Sequence, residues 1–314
     1  MASLTVPGFT RANRRTGRAK PNFVIIFADD QGYQDVGCFG SPTIKTPNLD
    51  RMAAEGMKFT DFYSAAAICS PSRAALMTGC YPPRVGITQV LFRKHTIGLN
   101  PKEVTVADVL KGQGYATACV GKWHLGHLPE FLPTSNGFDT GDNGPWLSKK
   151  HHAGSALPLR DGKFTTYEGG MREPAICRWP ARIPAGRVCS EISGTIDVLP
   201  TFAGLAGAAV PADRVIDGKD IWPLMAGKPS AKSPHKAYFY YRGTTLEAVR
   251  KGRWKLRRVK KKIELYDLGA DISEKNNLAE NHPDIVKRLT STMEEFDAEL
   301  KAKSRPPGKV EKQA

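Results

Sequence analysis

The chain has 314 residues, 40% of them hydrophobic, with 30 Gly and 23 Pro, enough to bury one large or two modest globular cores. No run of about 18 apolar residues occurs, so no membrane span is expected. The six cysteines (38, 69, 80, 119, 177 and 189) lack CxxC spacing, which argues against a zinc finger, and the chain is too large to need a disulfide framework. The net charge of +15 draws polyanions, but no helix-turn-helix, zinc or RNA-binding motif accompanies it, so no specific nucleic-acid partner is expected.

Residues 1–20 read as a disordered basic tail, with Arg11, Arg14, Arg15, Arg18 and Lys20 and no acid. Arg14-Arg15 lacks the apolar stretch of an export signal, so the sequence as given reads as cytoplasmic. Asn22 to Phe27 is a short apolar run ending at Asp29-Asp30, the pattern of a buried parallel strand with two acids at its carboxyl end. Thr46 to Gly56 reads as a helix, and Phe59 to Ser64 as a strand leading to Cys69-Ser70-Pro71-Ser72-Arg73-Ala74. Pro71 suits a first helical position, so Cys69 is expected at the positive end of a helix over Ser72 to Gly79. Val104 to Gln113 reads as a helix and Tyr115 to Val120 as a strand ending at Gly121-Lys122-Trp123-His124.

This alternation predicts an α/β fold, a doubly wound, mostly parallel sheet with helices on both faces. Ligands of such sheets lie beyond the carboxyl ends of the strands, the edge that would carry Asp29, Asp30, Cys69, Lys122 and His124. Further along, Ala175 to Trp179 reads as a strand and Asp197 to Ala206 as a helix. Tyr238 to Tyr241, Leu246 to Arg250, Trp254 to Val259 and Ile263 to Leu268 read as a small antiparallel sheet. Pro283 to Lys301 reads as a helix with Ile285, Leu289, Met293, Phe296 and Leu300 in one stripe, and residues after Arg305 as disordered. A break near Pro234 divides a catalytic domain, 21–234, from a C-terminal subdomain, 235–314. Nine basic residues between Arg250 and Lys262 suit either a solvated hairpin that guards an edge strand or an anionic polymer.

Cysteine 69 alone suits a thiolate nucleophile or a buried small residue. With its neighbours it resembles the Cys-x-Pro-Ser-Arg signature of the formylglycine-dependent sulfatases, arylsulfatase type, of the alkaline phosphatase-like superfamily. Gly121 to Gly126 resembles that family's Lys-x-His block, Asp142-Asn143-Gly144-Pro145 its second metal-ligand pair, and Leu159 to Pro174 its later lysine block. Glu264 to Leu268 and Glu274 to Leu278 are similar to its C-terminal subdomain. The resemblance implies a sulfuric ester hydrolase acting on aryl or carbohydrate sulfates. It implies Ca²⁺ held by Asp29, Asp30, Asp142, Asn143 and the modified Cys69, oxygen donors that suit a hard dication. It implies conversion of Cys69 to formylglycine by a formylglycine-generating enzyme. One hydroxyl of the aldehyde hydrate attacks sulfur and the other expels sulfate. Arg73, Lys122, His124 and Lys163 are the implied catalytic partners, Asp29 or Asp30 taking the attacking proton. By the same resemblance the protein belongs in the periplasm or outside the cell, and its substrate is a sulfated small molecule or polysaccharide.

Between Leu125 and Lys163 the chain is compressed. Asn136-Gly137-Phe138-Asp139 meets Asp142-Asn143 almost at once, and Thr134 to Gly141 has Phe138 as its one large apolar residue. A βαβ unit takes about 30 residues, so the catalytic domain reads as internally deleted near 139–142, with no strand to deliver Asp142. His151 and His152 belong with the loop before Lys163. Two other readings follow: a catalytically impaired binder of anionic polymers, and a phosphonate or phosphate monoester hydrolase.

Overall fold

The computed structural model describes residues 20–142 and 155–310. The expected basic tail, apart from Lys20, lies outside them, as do Asn143, His151 and His152. In chain order the elements are α1 (Pro47–Ala54), β1 (Met57–Tyr63), α2 (Cys69–Thr78), β2 (Ile97–Gly98), α3 (Val106–Gly112), β3 (Ala118–Val120) and β4 (Thr140–Asp142). Then come α4 (Glu168–Met171), β5 (Arg172–Cys177), β6 (Arg187–Cys189), β7 (Ser193–Gly194), α5 (Val198–Ala206) and α6 (Trp222–Met225). Last are β8 (Tyr238–Arg242), β9 (Thr245–Lys251), β10 (Trp254–Val259), β11 (Lys262–Asp267), α7 (Pro283–Ala302) and β12 (Gly308–Lys309).

Local chemistry accounts for the helix starts. Thr105 caps α3 in a reciprocal box with Asp108: the Asp108 N–H donates to Thr105 Oγ1 at 3.2 Å, and the Thr105 N–H donates to Asp108 Oδ2 at 2.9 Å. Pro47 opens α1, where its missing N–H costs nothing. Helix α2 starts two residues earlier than the position of Pro71 suggests, at Cys69, with Ile68 in extended geometry before it. It ends at Gly79, whose φ of 68° needs a residue without a Cβ.

Strand β1 centres a mixed sheet, antiparallel to β5 and parallel to β6 and β7. Its alternate residues Met57, Phe59 and Tyr63 are buried, the period of a strand with one covered face. Strands β3 and β4 form a separate parallel pair. The α/β class agrees with the sequence reading, as do the four-stranded antiparallel sheet in the order β11-β10-β9-β8 and the terminal helix. One core cluster joins Tyr63 and Met171 to Tyr238, Tyr240 and Leu265 of the antiparallel sheet and to Leu289 and Met293 of α7. Four residues of the α7 stripe are buried as expected, and the fifth, Phe296, is partly buried with its ring stacked on Phe239 at 3.7 Å.

Three expectations change. Asn22 to Phe27 forms no strand, and Val24 and Ile26 are 82% and 83% exposed. Its apolar pattern suits a sheet interior, yet a strand exists only where neighbours complete its ladder, and here the segment is held by Phe23 against Phe202 and Tyr115 and by Phe27 against Arg73. Asp142 does arrive on a strand: β4 pairs with β3, placing Asp142 beside Val120 in register. Three paired residues suffice, so a run poor in apolar side chains gave no periodic signal. The segment after Arg305 is ordered through 310, because Arg305 pairs with Glu103 at 2.6 Å and β12 pairs with β2.

Candidate active site

Four chain segments meet at the site, although β1 and β3 belong to separate sheets and the first segment is no strand. The segment that begins at Asn22 ends at Asp29 and Asp30, and Asp30 takes the left-handed backbone, φ 58°. Arg73 lies one turn into α2 from Cys69, so the two share a helix face with Cβ atoms about 5–6 Å apart. The turn after β3 carries Lys122 and His124, the latter also left-handed at φ 59°. A loop through Asp161 (φ 63°), Lys163 and Phe164 (φ 74°) supplies the fourth side. Left-handed non-glycine residues are uncommon and gather at functional sites.

The charges interlock. Arg73 Nη2 donates to Asp29 Oδ1 at 3.2 Å, and Lys122 Nζ donates to Asp29 Oδ2 at 2.5 Å. Arg73 Nη1 also donates to the Lys122 carbonyl, and Lys163 Nζ donates to the Asp30 carboxylate. Below Arg73, the Phe27 ring centroid lies 5.4 Å from its guanidinium carbon. Burial raises the Asp29 carboxyl, but the Lys122 bond and charge, followed by Arg73, outweigh it and hold the carboxyl below its usual range. His124 Nε2 meets the Leu91 carbonyl at 2.8 Å. Burial lowers its pKa first, and the Lys122 charge lowers it further, so the neutral imidazole is favoured. The Cys69 thiol is half-buried and forms no disulfide. The N–H groups of the first turn of α2 have no side-chain cap, an arrangement that accepts an anion.

The structure thus pairs Arg73 and Lys122 with Asp29, and Lys163 with the adjacent Asp30, with Cys69 and His124 next to them on α2 and the turn after β3. Asp142 is placed only by its backbone, at the end of β4, and Asn143 lies outside the described residues. Among the described residues no cluster of three His, Cys, Asp or Glu side chains forms a metal cage. The donor chemistry still fits a hard dication. Asp29 and Asp30 offer oxygen only, and their carboxylates already gather three cationic side chains.

Sequence reasoning missed several supporting residues. Glu173, on β5, is pushed up to about 8 by burial and then by the Asp30 charge; its place in a strand gave no hint of that neighbour. The Lys163 loop is fastened by the C-terminal sheet. Arg160 and Arg257 lie 4.0 and 4.1 Å from the centroid of the Tyr167 ring. Tyr167 OH donates to Glu264 at 3.0 Å, and Thr166 Oγ1 donates to Glu247 at 2.7 Å. These pairs span up to 97 residues of sequence, a separation no local pattern encodes.

Two family profiles match the chain. The sulfatase profile matches residues 21–140, and the profile of the N-sulphoglucosamine sulphohydrolase C-terminal region matches residues 160–299. The N-acetylgalactosamine-6-sulfatase of Canis lupus familiaris is 32% identical over 373 aligned positions, covering 75% of this chain and 71% of that protein. Arylsulfatase A of Homo sapiens is 32% identical over 379 positions, covering 75% and 74%. Both spans exceed the 314 residues of the chain, so the relatives carry residues inside the matched region that this chain lacks. Among solved structures, Ps i-CgsB in complex with k-i-k-neocarrahexaose superposes with a TM-score of 0.82 at 24% identity, over 92% of this chain and 95% of that one. A sulfatase from Pseudoalteromonas sp. gives 0.82 at 19% identity over 92% of each. These two share the fold.

Proposed function

The chain belongs to the sulfatase family, whose chemistry is sulfate-ester hydrolysis, and on that premise we propose that it cleaves aryl or carbohydrate sulfate monoesters at the Asp29–Arg73–Lys122–Lys163 cluster. The observation that carries this reading is the convergence of Arg73, Lys122 and Lys163 on two adjacent carboxylates, one helical turn from Cys69. A sulfate monoester is an anion that repels nucleophiles, and a fixed cationic cluster lowers that barrier.

Converted to formylglycine, position 69 supplies a geminal diol, one hydroxyl serving as nucleophile and the other expelling the sulfate. Asp29, Asp30, Asp142, Asn143 and the modified position 69 would hold Ca²⁺, which would supply positive charge to the sulfate oxygens. Arg73 keeps Asp29 and the Lys122 backbone fixed. Lys122 and Lys163 hand their hydrogen bonds from the carboxylates to the substrate sulfate, and one of them protonates the departing alcohol oxygen. Neutral His124, oriented by Leu91, accepts a proton from the position-69 diol.

The test is co-expression with a formylglycine-generating enzyme, mass spectrometry of the Cys69 peptide, and assay of an aryl sulfate with Ca²⁺. The aldehyde together with sulfate release, both lost in Cys69→Ala, is the expected result; an intact thiol with no release overturns the reading. A second reading, an anion-binding sulfatase relative without turnover, is favoured by the open apolar edge at Val24, Ile26 and Val120. It predicts sulfate binding that salt abolishes.

A further inference from the structure

A partly open cleft lies between the catalytic region and the β8–β9 turn. Its walls are chain neighbours of the candidate catalytic residues. Ile68 precedes Cys69 and Pro71 follows it by two. Phe164 follows Lys163, and Thr88 lies three residues before Leu91, whose carbonyl meets His124. Arg242, at the end of β8, closes the far side.

The lining is two-faced. Ile68, Pro71 and Phe164 form an apolar floor, and Phe164, 55% exposed, offers an aromatic face of the kind that packs against the C–H groups of a sugar ring. Arg242 supplies a guanidinium whose side chain is 63% exposed and whose carboxylate neighbour, Glu247, lies 3.9 Å away. Glu247 is also claimed by the Thr166 hydroxyl at 2.7 Å. The guanidinium fork therefore keeps capacity for an incoming oxyanion.

We propose that this cavity is the subsite for the alcohol part of the substrate, and that Arg242 makes it selective for a sugar carrying a second anionic group, sulfate or carboxylate, beyond the sulfate that is cleaved. This rests on the hydrolase reading above for the direction in which the substrate enters. It assigns to the C-terminal sheet a direct part in choosing the substrate.

The experiment compares kcat/KM for glucosamine 2-N,6-O-disulfate and glucosamine 6-O-sulfate, and for the analogous pair of uronic-acid and neutral disaccharide sulfates, in the wild-type chain, Arg242→Gln and Arg242→Glu. The ratio of doubly to singly anionic substrate is expected to fall roughly tenfold in Arg242→Gln and further in Arg242→Glu. The two pairs tell a preferred second sulfate from a preferred carboxylate. An unchanged ratio for both pairs overturns the proposal. If the wild-type chain releases no sulfate from any of them, the hydrolase reading fails by itself. The same ratio is then read as dissociation constants by calorimetry on the Cys69→Ala chain, with and without Arg242→Gln, and a ratio that Arg242 does not move again overturns the subsite. Circular dichroism melting of the variants checks that the fold is retained.

Discussion

Lys255 donates to Glu168 at 2.9 Å with both side chains fully buried, tying the antiparallel sheet to the segment that follows Lys163. The same ammonium lies 2.8 Å from Glu274, and Glu168 also accepts from Tyr63 at 2.7 Å. Burial raises the Glu168 carboxyl, and Lys255 and Arg250 outweigh it, so Glu168 carries the negative charge. Removing one partner of such a group leaves buried charge uncompensated. Lys255→Met is expected to lower stability by roughly 3–5 kcal/mol in urea unfolding, and Lys255→Met with Glu168→Gln to regain part of it. A loss within about 0–1 kcal/mol, the range of a surface pair, would show that the network is dispensable.

Arg73 separates activity from stability. Its contact with Asp29 is partly exposed, the carboxylate side chain at 41%, so Arg73→Ala is expected to cost about 0–1 kcal/mol in folding through that pair. Sulfate release is expected to fall on the order of 100-fold, since the group that fixes Asp29 and the Lys122 backbone is gone. Parallel melting curves and initial rates check this. Equal, small effects on both would remove Arg73 from the site.

Calcium gives a binding test independent of turnover. A ligand at 100 times its Kd stabilises a fold by about 2.7 kcal/mol, so Ca²⁺ should raise the melting temperature of the wild-type chain, and chelator should reverse the rise. Asp30→Asn is expected to abolish the shift. A shift of the same size in that variant would place the ion elsewhere.

Acid should loosen the attachment of the Lys163 loop. Burial raises the Glu264 carboxyl, but Lys262, Arg257 and Tyr167 overcome it and hold it down to about 2, against 4.5 for the free side chain. A carboxyl depressed on folding adds stability that is complete above 4.5 and is lost as pH falls through about 2. The melting temperature should therefore drop between those values in the wild-type chain and drop less in Glu264→Gln. Identical acid profiles would contradict the assignment.

Much of the site was legible because its residues follow short elements with strong local signals: the acids after an apolar run, Cys69 and Arg73 one turn apart, Lys122 and His124 after a strand. The fold class was legible for the same reason. Asn22 to Phe27 misled because apolar content does not supply neighbours, and this chain lacks internal residues that its relatives possess. Strand β4 was invisible because three residues carry no period. Glu173, Arg242 and the Arg160–Tyr167–Arg257 stack depend on contacts between distant segments. Such contacts follow from the assembled fold.

The tie between Glu168 and Lys255 has a bearing on how the protein is made. The two residues are 87 positions apart, an interval of roughly 4–17 s at a ribosomal rate of ~5–20 residues per second. During that time the Lys163 segment has been synthesised while the sheet that fastens it has not. Until then Glu168 waits without the ammonium that compensates its charge. Release of the last strands closes that period, so the Lys163 segment gains its fastening only when the C-terminal sheet is complete.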